Sequence, residues 1–283
     1  MEISLAEEHA YHYIPQFSLE IAHDRVEQRK VQLVAGTVGS LLGLGRLKPE
    51  DIHNLGVENR LEPFWFVTVS SHTVYDRSRS YSVPVSGSEV TAVTVLGQKL
   101  PVDTKDKHSA ITVNGVEHCE ENMRVTRSYQ GVQGEPADPQ KYLAFPKTII
   151  VDLNTFAPEG VLVVPPQLRA TAVARQVIGE VIRPVQNAHT IHEEKVDIEA
   201  LDLNFRPVYA FEYEWTSKGK HVVLEFNALT GEINAGGKRY LDQLKGIVTR
   251  ELIFDVTADA VGMLVPGGSI AVKLVKAVVD RKS

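Results

Sequence analysis

Two histidines and two carboxylates stand together in the run His189-Thr190-Ile191-His192-Glu193-Glu194. On a helix, His189 and His192 would share a face with Glu193 beside them, a set able to hold a metal and activate its water. The zinc-protease helix, however, needs its histidines four apart. Val196, Ile198 and Ala200, just downstream, alternate as in a strand, and on a strand the two histidines would point to opposite faces. His189, His192 and Glu193 are nevertheless the metal ligands the sequence offers. His9 and His12 repeat the same spacing.

Other chemistry finds less to work with. Gly231 to Lys238 departs from a phosphate loop, because Lys238 is followed by Arg239 rather than a hydroxyl residue. Gly43-Leu44-Gly45 lacks the third glycine and the preceding strand of a dinucleotide site. No Gly-x-Ser-x-Gly elbow offers a serine nucleophile. Cys119 sits among Glu117, Glu120 and Glu121, which oppose a thiolate. The expectation is no catalytic residue and no cofactor.

The chain has 283 residues and a formal net charge of −6, which argues against a nucleic-acid partner. With one cysteine, no intramolecular disulfide can form. Residues 1–12 lack the basic and apolar regions of a secretory signal, so the expected address is cytoplasmic. Val31 to Leu47 is broken by glycines and Ile253 to Val279 by charges, so neither reads as a membrane span. Ala35, Gly39 and Gly43, four apart, would let a neighbouring element approach the first helix closely.

The elements that must position these residues follow a repeated order. Helical spacing of Val26, Leu33, Val34 and Leu41 predicts a helix over 23–45, followed by a strand over 62–69, a turn over 76–80, a strand over 81–85 and another over 90–96. The second half reads alike: a helix over 167–183, a strand over 206–215, a turn over 216–220, a strand over 221–226 and a short one after Gly231. Pro63 and Pro207, Gly87 and Gly231, and the two helix starts all differ by 144 positions. The expected fold class is α+β: two related domains, each a helix packed on an antiparallel β-meander, plus a C-terminal helical hairpin. The boundaries are 1–102 for the first domain, 103–140 for a polar linker or elaborated loop, 141–237 for the second domain and 238–283 for the helical segment. Tyr209, Phe211, Tyr213 and Trp215 share one strand face, expected against the helix at 167–183, with Trp65, Val67 and Val69 as the equivalent stripe.

The helix Ala170 to Val181, the strand Val208 to Trp215 and the run Val223 to Ile233 resemble the PepSY family of small helix-plus-sheet domains. The family's closing turn reads apolar-x-Asp-x-x-Thr-Gly-x, and here Asn227 stands where aspartate is usual. Asn227 and Thr230 are suited to satisfy turn amides, and Gly231 to accept positive φ. The resemblance, over about residues 167–233, implies a non-catalytic regulatory or binding role. The expected function is thus a binding or scaffold protein whose partner is another protein or a second copy of itself. Alternatives are an enzyme with a site between the domains, and peripheral membrane contact through the apolar C-terminus.

Overall fold

The computed structural model describes residues 1–39, 48–106, 108–138, 140–182, 185, 187–216, 219–238, 240, 250–256 and 273–276. In chain order the elements are β1 (Glu2–Leu5), β2 (His9–Tyr13), α1 (Leu19–Gly39), β3 (Ile52–Pro84), β4 (Ala92–Val95), β5 (Gln98–Pro101), β6 (Asp103–Asp106) and β7 (His108–Gln130). Then come β8 (Pro136–Ala137), β9 (Lys147–Ile149), β10 (Leu162–Val163), α2 (Ala170–Val181), β11 (Ala188–Trp215), β12 (Lys220–Asn227), β13 (Ile233–Ala235), α3 (Arg250–Ile253) and β14 (Lys273–Lys276).

Three strands set the architecture. β3 is 33 residues long, about 110 Å at the usual rise of an extended chain. It lies antiparallel between β11 and β7, pairing from Ile52↔Trp215 to Arg77↔Ala188 on one side and from Phe64↔Gln130 to Pro84↔Ala110 on the other. All strands except the β4–β5 hairpin belong to one mixed sheet. β1 and β2 add parallel strands to the outer edge of β11, and β10 adds one to the outer edge of β3.

This overturns the expected α+β fold of two meander domains. Among the described residues one large, mainly β sheet replaces them. The polar run 76–80 is no turn but part of β3, with Asp76 and Arg77 held in the ladder from both sides and residues 78–80 paired with β7. The supposed linker 103–140 supplies β7, and the expected third strand of the first meander forms the separate β4–β5 hairpin. The expected helical segment 238–283, with its hairpin, lies mostly outside the described residues. Within that segment, β14 pairs parallel with β1 as a strand, not as a helix.

The helices form for local reasons. Ser18 caps α1 through its hydroxyl, which accepts from the Ile21 amide at 3.3 Å. Asp255 accepts from the Thr171 amide at 3.2 Å, placing a carboxylate at the positive end of α2. Val173, Ala174, Val177, Ile178 and Val181 make one fully buried stripe on α2.

Each helix packs on the opposite half. Tyr209, Phe211, Tyr213 and Trp215 cluster with Ala22, Val26 and Val34 of α1, not with α2 as expected. α2 instead covers Trp65, Val67 and Val69, together with Ile198, Leu201 and Leu203. The anchoring bonds explain the exchange. Gly131 O accepts from the amides of Gln167 and Leu168, and Ala228 O accepts from those of Gln16 and Phe17. Likewise Trp65 Nε1 donates to Leu168 O at 2.9 Å, and Tyr209 Oη donates to Phe17 O at 3.1 Å. The turn after each hairpin thus holds the segment leading into the other half's helix.

Further equivalent bonds relate the halves. Gly131 N donates to Pro63 O at 2.8 Å and Ala228 N to Pro207 O at 3.0 Å. Gln130 N donates to Glu135 O, as Asn227 N does to Glu232 O. The counterpart of Gly231 in this frame is Gly134, not Gly87; both have φ of 75°. That left-handed conformation suits glycine. Asn227 Oδ1 accepts from the amides of Leu229 and Thr230, and Thr230 Oγ1 from that of Glu232, so the turn is satisfied from within.

Because β3 and β11 join both clusters, the sheet should unfold as one cooperative unit. Ile178→Ala in α2 is expected to cost about 2–5 kcal/mol. Denaturant unfolding followed by tyrosine and tryptophan fluorescence should show one transition shifted as a whole; two separable transitions would refute the single unit.

Candidate functional site

Pleating sends Glu58, Arg60 and Glu62 to one face of β3, the face opposite Trp65 and the helices. Arg206 lies directly across from Glu62 in the β3–β11 ladder. The result is a row of five charged groups at the centre of the sheet, completed by Glu225 of β12.

Every N–H of the fully buried Arg60 is used. Nε and Nη2 donate to Glu62 Oε1 at 2.8 and 2.5 Å, and Nη2 also donates to Glu225 Oε1 at 2.5 Å. Nη1 donates to Glu58 Oε1 at 3.1 Å and to Lys238 O at 2.6 Å. The Tyr240 ring covers the guanidinium, its centroid 4.8 Å from Cζ. Arg206 donates to Glu62 Oε2 from Nε at 3.2 Å and Nη2 at 2.7 Å, and to Tyr142 Oη from Nη1 at 2.7 Å. Tyr142 Oη accepts a second bond from Asn227 Nδ2 at 3.0 Å.

Burial opposes the charge on Glu62, Arg60 and Arg206, yet their partners win. Glu62 is pushed up by desolvation, but Arg206 and Arg60 outweigh it and hold the carboxyl below its ordinary value. Burial likewise opposes the charge on both arginines, and Glu62 with Glu225, or Glu62 with Tyr142, raises their pKa regardless. Glu62 and the two guanidiniums therefore hold one another ionised, which suits a fixed binding frame rather than proton transfer. Beside the frame lies a cavity of about 480 Å³, lined among others by Arg206, Tyr142, Lys141, Glu225, Lys238 and Tyr240.

The metal candidates fall elsewhere and apart, on the far stretch of β11. The ladder shifts register between Ala188 and Thr190 and again between Ile191 and Glu193, leaving His189 and His192 as the extra residues. His189 Nδ1 lies 3.4 Å from Ser78 Oγ, His192 Nε2 lies 2.8 Å from Asp76 Oδ2, and Glu193 pairs with Lys195. Asp76 also meets His118 Nδ1 at 2.6 Å, and the bonds from His192 and His118 lower its pKa. Among the described residues no group of three or more His, Cys, Asp or Glu side chains is placed to hold a metal ion. His9 sits 3.7 Å from Asp202, while His12 packs on Phe156 with ring centroids 5.2 Å apart.

Sequence spacing misses one further cluster. Lys147 Nζ lies 3.7 Å from the Tyr11 ring centroid and 3.3 Å from Asn204 Oδ1, with Asp202 at 4.0 Å. Burial lowers the Lys147 pKa and raises that of Asp202. Tyr11, Lys147 and Asp202 come from three distant segments, and only the β2–β11 and β2–β9 pairings unite them.

Compared with protein-family models, with curated proteins and with solved structures, the chain matches none. Among the described residues no helix is long and apolar enough to cross a membrane.

Glu62 carries a directly testable consequence. Its folded pKa is depressed, so its contribution is fully present above the ordinary carboxylate range and is lost as pH falls through the folded value. Glu62→Gln should cost about 3–5 kcal/mol at neutral pH by leaving two guanidiniums short of a counter-charge. It should also flatten the acid limb of stability against pH, read by denaturant unfolding from neutral pH downward.

Proposed function

We propose that the protein is a non-catalytic binding or scaffold protein that acts through protein–protein contacts along its long sheet. The observation that carries this reading is the far end of β3. Residues 78–84 pair with β7 but, among the described residues, have no strand on the side where β11 ended at Ala188. That edge offers backbone groups for an added strand. Apolar side chains accompany it: Tyr81, Val83 and Val116 are exposed on the two-stranded arm, and Ile191 is exposed near the end of β11. Enzymatic readings find less support, since the central carboxylate Glu62 is held by two guanidiniums and the expected metal ligands contact different partners.

The PepSY-like resemblance agrees with a binding role, and the self-satisfied turn at Asn227 to Gly231 is the part of it with a physical basis. The partner is another protein or a second copy of this chain. A cytoplasmic address fits a chain with one cysteine, Cys119, and is read by cell fractionation.

Val83→Asp and Val116→Asp place a charge on each face of the arm without touching the buried clusters. Both should keep the circular dichroism spectrum of the parent and reduce partner recovery at least severalfold in cross-linking from the native host. A parent protein that stays monomeric and partnerless at endogenous concentration sinks the proposal.

A further inference from the structure

We propose that the cavity beside the Glu62–Arg206 pair binds a small molecule or chain end through a carboxylate group, held by Arg206, Tyr142 and Lys238. The case starts from unused donors. Arg206 spends three of its five N–H groups on Glu62 and Tyr142, and among the described residues the other two have no partner. Tyr142 Oη accepts from both Arg206 and Asn227. Asn227 is fixed in that orientation because its Oδ1 accepts two turn amides. With its acceptor capacity taken, the Tyr142 hydroxyl proton is left to donate, and the residue lines the cavity. Lys238 lines it as well and has no ion-pair partner among the described residues.

Two N–H groups of a guanidinium beside an O–H donor match the two oxygens of a carboxylate. The remaining lining sets the ligand's other features. Arg206, Lys141 and Lys238 are offset by Glu62, Asp138 and Glu225, so a dianion such as a phosphate monoester gains little net attraction. Glu225 spends Oε1 on Arg60 and the Lys238 amide, while its Oε2 has no partner among the described residues and can accept from a ligand ammonium or amide. Aromatic rings of Phe64, Tyr142 and Tyr240 supply apolar surface. About 480 Å³ falls within the range of small-molecule sites, so an amino acid or the last residues of a peptide would fit. The site is independent of the arm proposed above for protein contacts.

The test uses the full chain and carboxylate–carboxamide pairs: glycine with glycinamide, and triglycine with triglycinamide. Binding at millimolar concentration is followed by saturation-transfer NMR and titration calorimetry. The expected result is that a carboxylate member binds and its amide binds about tenfold more weakly or not at all. Glycine and triglycine binding alike identifies a free acid; triglycine alone identifies a chain terminus. Lys238→Ala, a change at an exposed side chain, should weaken binding severalfold, and Tyr142→Phe should do the same while keeping the ring. If Tyr142→Phe does not fold, Lys238→Ala alone decides. Equal binding of acid and amide, no binding by any member, or unchanged affinity in the folded variants overturns the proposal.

Discussion

The ion pair between Glu62 and Arg206 is the point about which this sheet is organised. Two charged residues directly opposite each other on β3 and β11 are costly to bury unless both are paired and hydrogen-bonded. Here Glu62 serves two guanidiniums, one on each oxygen, and Arg60 draws in Glu58, Glu225 and the backbone of Lys238. Such a network admits one register. A shift of β11 by one residue would carry Arg206 to the helix-covered face and bring Tyr209 and Phe211 out of their cluster. Charge on one face and aromatic packing on the other therefore specify the same alignment.

That alignment also creates the two faces with different uses. Helices α1 and α2 take one face, where apolar stripes from both halves are buried. The other face carries the charged frame and its cavity, bordered by the turn after β7 and by residues 234–238. The far arm of β3 and β7 extends beyond both helices, and the nearby histidines, Asp76 and Glu117 form polar bonds across strands without a buried core beneath them.

Much of the local chemistry was legible in the residues. The β-branched and aromatic runs mark β3 and β11, the stripe on α2 has helical spacing, and the turn at Asn227 to Gly231 announces its own hydrogen bonds. What the chain hides is length and exchange. Asp76 to Ser80 has turn composition, but its polar groups find partners on flanking strands, so the strand runs on. β7 shows clear apolar alternation mainly near its end, at Met123, Val125 and Tyr129, because along much of its length little is buried beneath it; a solvated strand reads like a linker. The cavity draws on residues near 62, 142, 206 and 238, and no local pattern connects them. Equal spacing of Pro63 and Pro207 does point to equivalent backbone positions, but it cannot say which helix covers which strand.

The exchange of helices has a consequence for synthesis. As the chain leaves the ribosome, β3 and β7 emerge well before α2, the element that covers Trp65, Val67 and Val69. Helix α1 is made early as well, yet the aromatic residues it packs against come last. Each half must therefore wait, its apolar surface uncovered, for a counterpart the ribosome has not yet delivered. While residues 85–181 are being made, the nascent protein carries two incomplete surfaces, each complementary to something still unmade.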